Sequence, residues 1–197
     1  MAQASPPSRE RIVAGAADLI ARRGLSAASI RETAKHAAAP LGSTYHYFPD
    51  GKGQLATEAV EYAAGRVEQH MRTALEAGPT AGLRAYLKRW RDIVVDSGFR
   101  TGCPVLAVAV EEPPEDEFPP ALLAAALAFD RWERLLADSL EAHGADPDEA
   151  RELATLAVAA VEGTVAMCRA KQSTEPLDRV ARRLEALIEA ACDGDPA

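Results

Sequence analysis

The chain has 197 residues, of which 48% are hydrophobic, 26% charged and 5% aromatic, and its formal net charge is −8. This length suffices for one large or two smaller domains with a buried core, and an alanine-rich, aromatic-poor composition favours helix over strand, so we expect an all-α protein. The chain shows neither an apolar run of about eighteen residues nor a signal-peptide pattern in Met1–Pro7. We therefore expect a cytoplasmic protein with no membrane partner.

The cysteines Cys103, Cys168 and Cys192 are few and far apart. An odd number at wide spacing favours reduced thiols over a disulfide framework or a zinc site, so we predict no metal and no cofactor. Cys103 precedes Pro104 at a predicted helix start, where a thiol can be a redox or electrophile sensor. A small buried hydrophobic residue is the alternative, which the usual burial of free cysteine favours.

Charge is distributed unevenly along the chain. Residues up to Lys52 include seven basic and four acidic side chains, a net of +3, which leaves −11 for the remainder. An acidic protein repels nucleic acid as a whole, but a small basic segment beside an acidic body is typical of a DNA-binding module with a separate regulatory domain.

The N-terminal segment reads as short helices joined by turns. Apolar residues recur at helical spacing from Ser8 to Gly24, and a capping box at Ser29–Glu32 predicts a second helix over about residues 29–37. Pro40 and Gly42 interrupt the pattern before a short third helix that includes residues 43–48, which predicts a helix-turn-helix. Asp50 then starts a longer helix that reaches about Ala77.

The rest of the chain predicts further helices. Their expected ranges are about 80–97, 103–110, 121–143, 147–171 and 176–191, with an acidic, proline-rich loop over 111–120. The helix over 103–110 has little polar surface, so we expect it inside the second domain. We divide the chain into a helix-turn-helix domain (1–54) and a second helical domain (55–197).

Several motifs in fixed order carry a resemblance to a known family. They are Arg23-Gly24-Leu25, Ser29-Ile30, the packing alanines Ala34 and Ala37, and Gly42–Pro49. On these residues, the segment from Ser8 to about Val60 resembles the DNA-binding domain of TetR-family repressors. Pro40–Ser43, Asp50–Leu55 and Gly102–Pro104 are most similar to the LmrA-like branch. Beyond residue 77 the resemblance covers helix layout rather than chemistry. For the second domain (55–197) the family resemblance implies ligand binding and dimerisation.

The resemblance implies a set of DNA-contacting residues. It implies that Ser29 and Lys52 contact phosphates and that Tyr45 and His46 lie against the DNA backbone. Base edges or flanking sugars would face Pro40, Leu41, Ser43 and Thr44. Arg31, just inside the second helix, joins the set on electrostatic grounds.

Two positions depart from the family pattern. Ala38 stands where the family usually has the turn glycine, and alanine disfavours a positive φ. Leu41 stands where a polar or basic residue is common, and it suggests contact with thymine methyl groups because leucine offers no hydrogen bond.

The C-terminal helices contain candidates for an inducer pocket. Apolar side chains on such helices either line a ligand cavity or pack against one another, and Glu111, Arg131 or Arg169 could orient a ligand. The candidate pocket residues are Trp90, Phe99, Cys103, Leu106, Val110, Phe118, Phe129, Trp132, Val165 and Met167.

Together these expectations describe a ligand-responsive repressor that binds a palindromic operator as a homodimer. The two copies would pair through their last two long helices. The repressor would release the operator when a small lipophilic or aromatic inducer binds. Two alternatives from other classes are a helical enzyme and a ligand-independent DNA-binding or architectural protein. No nucleophile–base pair, paired carboxylates or phosphate loop rises above chance in the sequence, so we predict that it is not an enzyme.

Overall fold

The computed structural model describes residues 9–112 and 119–192, and this part of the chain forms α-helices and one 3-10 turn, with no β-strand. The all-α prediction is confirmed. The 3-10 turn covers Leu25–Ala27. In chain order the helices are α1 (Arg9–Arg23), α2 (Ile30–His36), α3 (Leu41–Tyr47), α4 (Gly51–Leu75), α5 (Pro79–Asp96), α6 (Pro104–Ala109), α7 (Pro120–Ala142), α8 (Pro147–Lys171) and α9 (Glu175–Cys192).

Contacts divide the chain into two compact units. The first comprises Met1–Ala64 and Cys103–Leu127, and the second comprises Gly65–Gly102 and Ala128–Ala197. Helices α4 and α7 each contribute residues to both units. The functional boundary predicted at residue 54 is not tested by this division and stays a prediction.

The first unit is built around α1. Its residues Ile12, Ala16, Leu19 and Ile20 are buried, and the helix contacts α2, α3 and α6. A Cβ atom placed on Gly15 would lie 2.9 Å from the Cβ of Ala37. Because real side chains do not approach so closely, glycine at this position lets α1 pack directly against the end of α2.

Helix α6 does not lie where the sequence suggested. We expected it inside the second domain, but it packs against α1 in the first unit, with Val105 and Val108 buried. The physical reason is that α1 is apolar on more than one side: seven of its 15 residues are buried. One face serves the helix-turn-helix and α6 covers another.

The second unit is formed largely by α5, α8 and α9. Helix α5 buries Leu83, Leu87 and Val94, and α9 buries Leu184 and Ile188. Ion pairs flank this apolar contact at the surface. Arg84 binds Glu185 at 2.9 Å and Arg91 binds Asp178 at 3.2 Å. The hydrogen bond and the charge of Glu185 raise the pKa of Arg84, so this guanidinium stays charged.

Helix α8 begins as the sequence predicted. The Asp146 carboxylate accepts hydrogen bonds from the backbone N–H groups of Asp148 (2.9 Å) and Glu149 (3.2 Å), and Pro147 opens the helix. Within the described residues, α8 is the one helix long and apolar enough to cross a membrane, with a mean hydropathy of 1.4 over its best window. Of that window 44% is buried inside the protein, and a core helix passes the same test.

Candidate nucleic-acid interface

A helix, a sharp turn and a second helix occupy residues 30–47, as the sequence predicted. The second helix, α3, begins earlier than expected, at Leu41, so Gly42 lies inside the helix and not in the turn. The hydroxyl of Ser29 accepts a hydrogen bond from the backbone N–H of Glu32 at 3.2 Å and so caps α2. At the other end, Ala38 adopts φ of +49°. The N–H of Ala39 donates a hydrogen bond to the carbonyl of Ala34 at 2.8 Å, and the N–H of Ala38 donates one to the carbonyl of Lys35 at 3.2 Å.

These two hydrogen bonds are those of a Schellman motif, which normally has glycine at its left-handed residue. The turn therefore needs the backbone conformation that a glycine would supply, and Ala38 adopts it in spite of its Cβ atom. The resemblance placed the turn residue at Ala38, and the structure shows that alanine forms the turn there.

Helix α3 presents most of its predicted contact residues to solvent. Tyr45 is 53% exposed, Leu41 is 36% exposed, and His46 and the preceding Pro40 are also exposed. Ser43 is half-buried. A short helix with one exposed face of this size can enter the major groove of DNA.

Thr44 corrects the sequence interpretation. We expected it to face base edges or sugars, but its side chain is fully buried and its hydroxyl donates a hydrogen bond to the carbonyl of Pro40 at 3.1 Å. Thr44 lies one turn before Phe48, the residue that ends α3, and Phe48 is also fully buried, so both side chains lie on the inner side of this segment. Thr44 positions the helix start instead of contacting DNA.

The predicted phosphate contacts lie at helix starts. Ser29 is half-buried at the cap of α2, where its hydroxyl accepts a hydrogen bond and can still donate one. Arg31 and Lys52 are exposed in the first turns of α2 and α4. Backbone N–H groups and a positive dipole at such helix starts favour an anion.

Side-chain contacts fasten these helices to one another. The guanidinium of Arg9 lies 5.2 Å from the centre of the Phe48 ring and 2.5 Å from the Glu58 carboxylate. Asp18 accepts from Arg22 at 2.9 Å and lies 2.7 Å from Nε2 of His36, which joins α1 to α2. Arg9 thus connects α1 to the end of α3 and to α4.

Gly42 and Lys35 are two exposed residues of this segment that were not among the predicted DNA-contacting residues. Lys35 is exposed in the last turn of α2. Gly42 is exposed on α3, and a Cβ atom placed on it would meet nothing within 4 Å. Glycine weakens a helix by about 1 kcal/mol relative to alanine, and no contact within the described residues requires glycine at this position.

The candidate pocket residues do not form one group. Trp90, Phe99, Phe129, Trp132, Val165 and Met167 belong to the second unit, whereas Cys103, Leu106 and Val110 belong to the first. Phe118 lies outside the described residues. Val110 is 74% exposed and Met167 is 45% exposed, so neither lies in an apolar interior. Their predicted place in a pocket is wrong, because Val110 ends α6 and Met167 lies on the outer face of α8.

Two clefts within the described residues are lined by none of these ten. One, of about 360 Å³, lies in the first unit between Leu25, Lys52 and the segment around Glu111 and Pro119. The other, of about 440 Å³, is a charged groove between α7 and α8 in the second unit.

Two of the polar residues suggested as ligand contacts bind other parts of the protein. The Glu111 carboxylate accepts a hydrogen bond from the N–H of Leu25, and Arg131 forms an ion pair with Glu68 at 3.2 Å.

A helix-turn-helix with an exposed recognition helix and basic helix starts defines a DNA-binding protein. Comparison with known families agrees. The model for bacterial regulatory proteins of the tetR family matches residues 12–59, and that for the C-terminal domain of LmrA/YxaF-like transcriptional regulators matches residues 79–183. A Mycobacterium tuberculosis protein named an uncharacterized HTH-type transcriptional regulator is 41% identical over 183 residues, covering 91% of this chain and 93% of its own.

Solved structures show the same fold. The regulatory protein TetR from Rhodobacter sphaeroides matches with a TM-score of 0.78 at 22% identity, covering 90% of this chain and 97% of its own. A cysteine mutant of the TetR-family regulator CifR, complexed with 26-bp operator DNA, matches with a TM-score of 0.67 at 22% identity. The match covers 99% of this chain and 100% of the CifR chain.

The chain belongs to the TetR family of transcriptional regulators, with a C-terminal domain of the LmrA/YxaF-like type. It is a DNA-binding regulator and not an enzyme, because the family and the relatives it matches are regulators.

Proposed function

We propose that this regulator is a repressor that binds a palindromic operator as a homodimer and releases it when a small lipophilic or aromatic molecule binds the second unit. The observation that carries the DNA-binding part is the exposed outer face of α3, with Leu41, Tyr45 and His46 presented to solvent. The CifR mutant is complexed with operator DNA through a chain of the same fold, which supports the same role here.

The contacts divide between positioning and readout. Ser29, Arg31 and Lys52 hold phosphates, while Pro40, Leu41 and Ser43 face base edges and Tyr45 and His46 lie along the backbone. Phosphate contacts fix register and carry no sequence information, so specificity falls to the first turn of α3.

The surface of α8 supports pairing of two copies. Leu156 and Met167 are 46% and 45% exposed, and Ala159, Gly163 and Ala170 are exposed on the same face at helical spacing. An apolar stripe of small residues with two large ones lets a second helix approach closely, and a twofold interface needs only one such surface. We place the dimer interface there, together with α9.

Twofold pairing places constraints on the operator. Two recognition helices on one face of DNA must lie about 34 Å apart, or a multiple of that, and the half-sites must be inverted repeats. A ligand that binds more tightly to a form of the dimer whose recognition helices are spaced differently lowers the affinity for DNA. By thermodynamic linkage, DNA lowers the affinity for that ligand by the same factor.

The DNA assignment is tested by gel shift on palindromic DNA from upstream of the protein's own gene. We expect Tyr45→Ala to weaken binding and Lys52→Gln to lower the slope of log affinity against log salt by about 1. Thr44→Ser keeps the buried hydroxyl and serves as the matched control on α3. Unchanged affinity for both Tyr45→Ala and Lys52→Gln would reject the interface.

The dimer is tested by sedimentation. We expect Leu156→Glu to convert a dimer to a monomer and to abolish the gel shift, since a charge on each copy would be desolvated at the interface. Thr155→Glu is the control, because Thr155 is also exposed on α8 but lines the groove with α7. A dimer that survives Leu156→Glu places the interface elsewhere.

A further inference from the structure

A carboxyl group lies in the core of the second unit. Glu162 on α8 is 3% exposed, and the hydroxyl of Tyr86 on α5 donates a hydrogen bond to its Oε1 at 3.4 Å. Tyr86 itself is 1% exposed. Burying an ionisable carboxyl group costs free energy that an apolar residue of similar size would not, so its presence calls for a function.

A second polar group lies on the same face of α5. Trp90 follows Tyr86 by one helical turn, about 6 Å along the axis. It is 2% exposed, and its indole N–H has no hydrogen-bond acceptor among the described residues. Buried indole N–H groups usually have an acceptor, so this donor is available to a bound molecule.

Further aromatic rings lie beside Tyr86. The Trp132 ring on α7 is fully buried, with its centre 6.3 Å from that of Tyr86. Phe129 packs edge-on to Trp132 at 5.6 Å and is half-buried, so the edge of the cluster reaches the surface. Aromatic faces and a buried carboxylate both attract positive charge, and a water-excluded site strengthens each attraction.

We propose that Tyr86, Trp90 and Glu162 form the recognition group for a lipophilic organic cation, an amine on an aromatic body. Glu162 accepts a hydrogen bond from the ammonium, the rings of Tyr86 and Trp132 contact the apolar part, and the Trp90 N–H donates to an acceptor on the ligand. This inference rests on the proposed ligand-responsive function and narrows its effector from lipophilic molecules in general to cations.

The test uses three probes that share one ring system: 1-naphthylmethylamine, 1-naphthylmethanol and 1-naphthoate. Binding to the full-length protein is measured by calorimetry at pH 7. We expect the amine to bind at least about tenfold more tightly than the alcohol, as a charge-assisted hydrogen bond predicts, and the carboxylate to bind least. Equal binding of amine and alcohol, or no binding of the amine, overturns the proposal without any variant.

Variants then locate the preference. Glu162→Gln is expected to remove the preference for the amine and to leave alcohol binding within about twofold, because the amide keeps the shape and loses the charge. Glu152→Gln, an exposed acid on the same helix, is the control for net charge. A preference that survives Glu162→Gln overturns the proposal.

Gel shifts with the same probes separate this inference from the proposed function. If the amine binds in a way that depends on Glu162 but operator affinity is unchanged, ligand control of DNA binding is rejected and the proposed cation site is retained. Release of the operator by a neutral aromatic molecule, equally in wild type and Glu162→Gln, would keep ligand control and reject the cation site.

Discussion

The carboxylate of Glu111 accepts a hydrogen bond from the backbone N–H of Leu25, with 3.1 Å between Oε2 and the amide nitrogen. The two residues are 86 positions apart, and the bond ties the segment after α6 to the turn that follows α1. Glu111, which the sequence suggested as a ligand contact, thus links two segments of the first unit, the unit that contains the helix-turn-helix.

Loss of this acceptor is expected to destabilise the first unit. Glu111→Ala leaves the part-buried N–H of Leu25 without its partner, which should lower the free energy of unfolding by about 1–3 kcal/mol. Glu111→Gln keeps an acceptor oxygen and should lose less. The measurement is urea unfolding at one fixed protein concentration, since association changes apparent stability.

The neighbour Glu112 supplies the control. It is exposed, and Glu112→Ala should change the free energy of unfolding by no more than about 0.5 kcal/mol. Equal losses in Glu111→Ala and Glu112→Ala would show that the bond to Leu25 does not contribute.

Ala38→Gly is expected to stabilise the helix-turn-helix. Ala38 holds φ of +49°, which costs an L-residue about 1–2 kcal/mol, and glycine removes that cost while adding backbone entropy to the unfolded chain. The net gain should be about 0.5–1 kcal/mol, seen as a higher thermal midpoint. Ala39→Gly, next in the turn but without a positive φ, should lower the midpoint; a fall in both would contradict the argument.

Gly42→Ala should separate stability from DNA binding. Alanine improves the helix by up to about 1 kcal/mol, and its Cβ atom meets no protein atom within 4 Å. If the DNA surface approaches α3 at this point, the same Cβ atom weakens operator binding. We expect a higher thermal midpoint together with a weaker gel shift.

Gly65→Ala is the matched control for this pair of measurements. Gly65 is exposed on α4, and a Cβ atom placed on it would meet nothing within 4 Å, so the variant should gain stability and keep full DNA affinity. Unchanged affinity in Gly42→Ala would place the DNA contact on another part of α3.

Cys168 should resist alkylation. It is buried, and that burial raises the pKa of its thiol above the usual range, so less of the reactive thiolate forms at a given pH. With iodoacetamide at pH 8 we expect Cys192, which is partly exposed, to be modified first, and all three cysteines to react once the protein is unfolded. Modification of Cys168 as fast as Cys192 in the folded protein would contradict this order.

Local chemistry was readable from the sequence because it acts over a few neighbouring residues. The Ser29 cap and the start of α8 at Pro147 each depend on side chains within about one turn of the backbone atoms they bind, and each was predicted at its place. The order of motifs around α2 and α3 indicated the family for the same reason.

Contacts between residues far apart in the chain could be seen only in the tertiary structure. Periodicity could not tell that Thr44 faces inward, that α6 packs on α1, or that Met167 lies outside the core, since a helical stripe does not say which element covers it. The bond between Glu111 and Leu25 and the meeting of Tyr86 with Glu162 exist only because folding brings together backbones 86 and 76 residues apart.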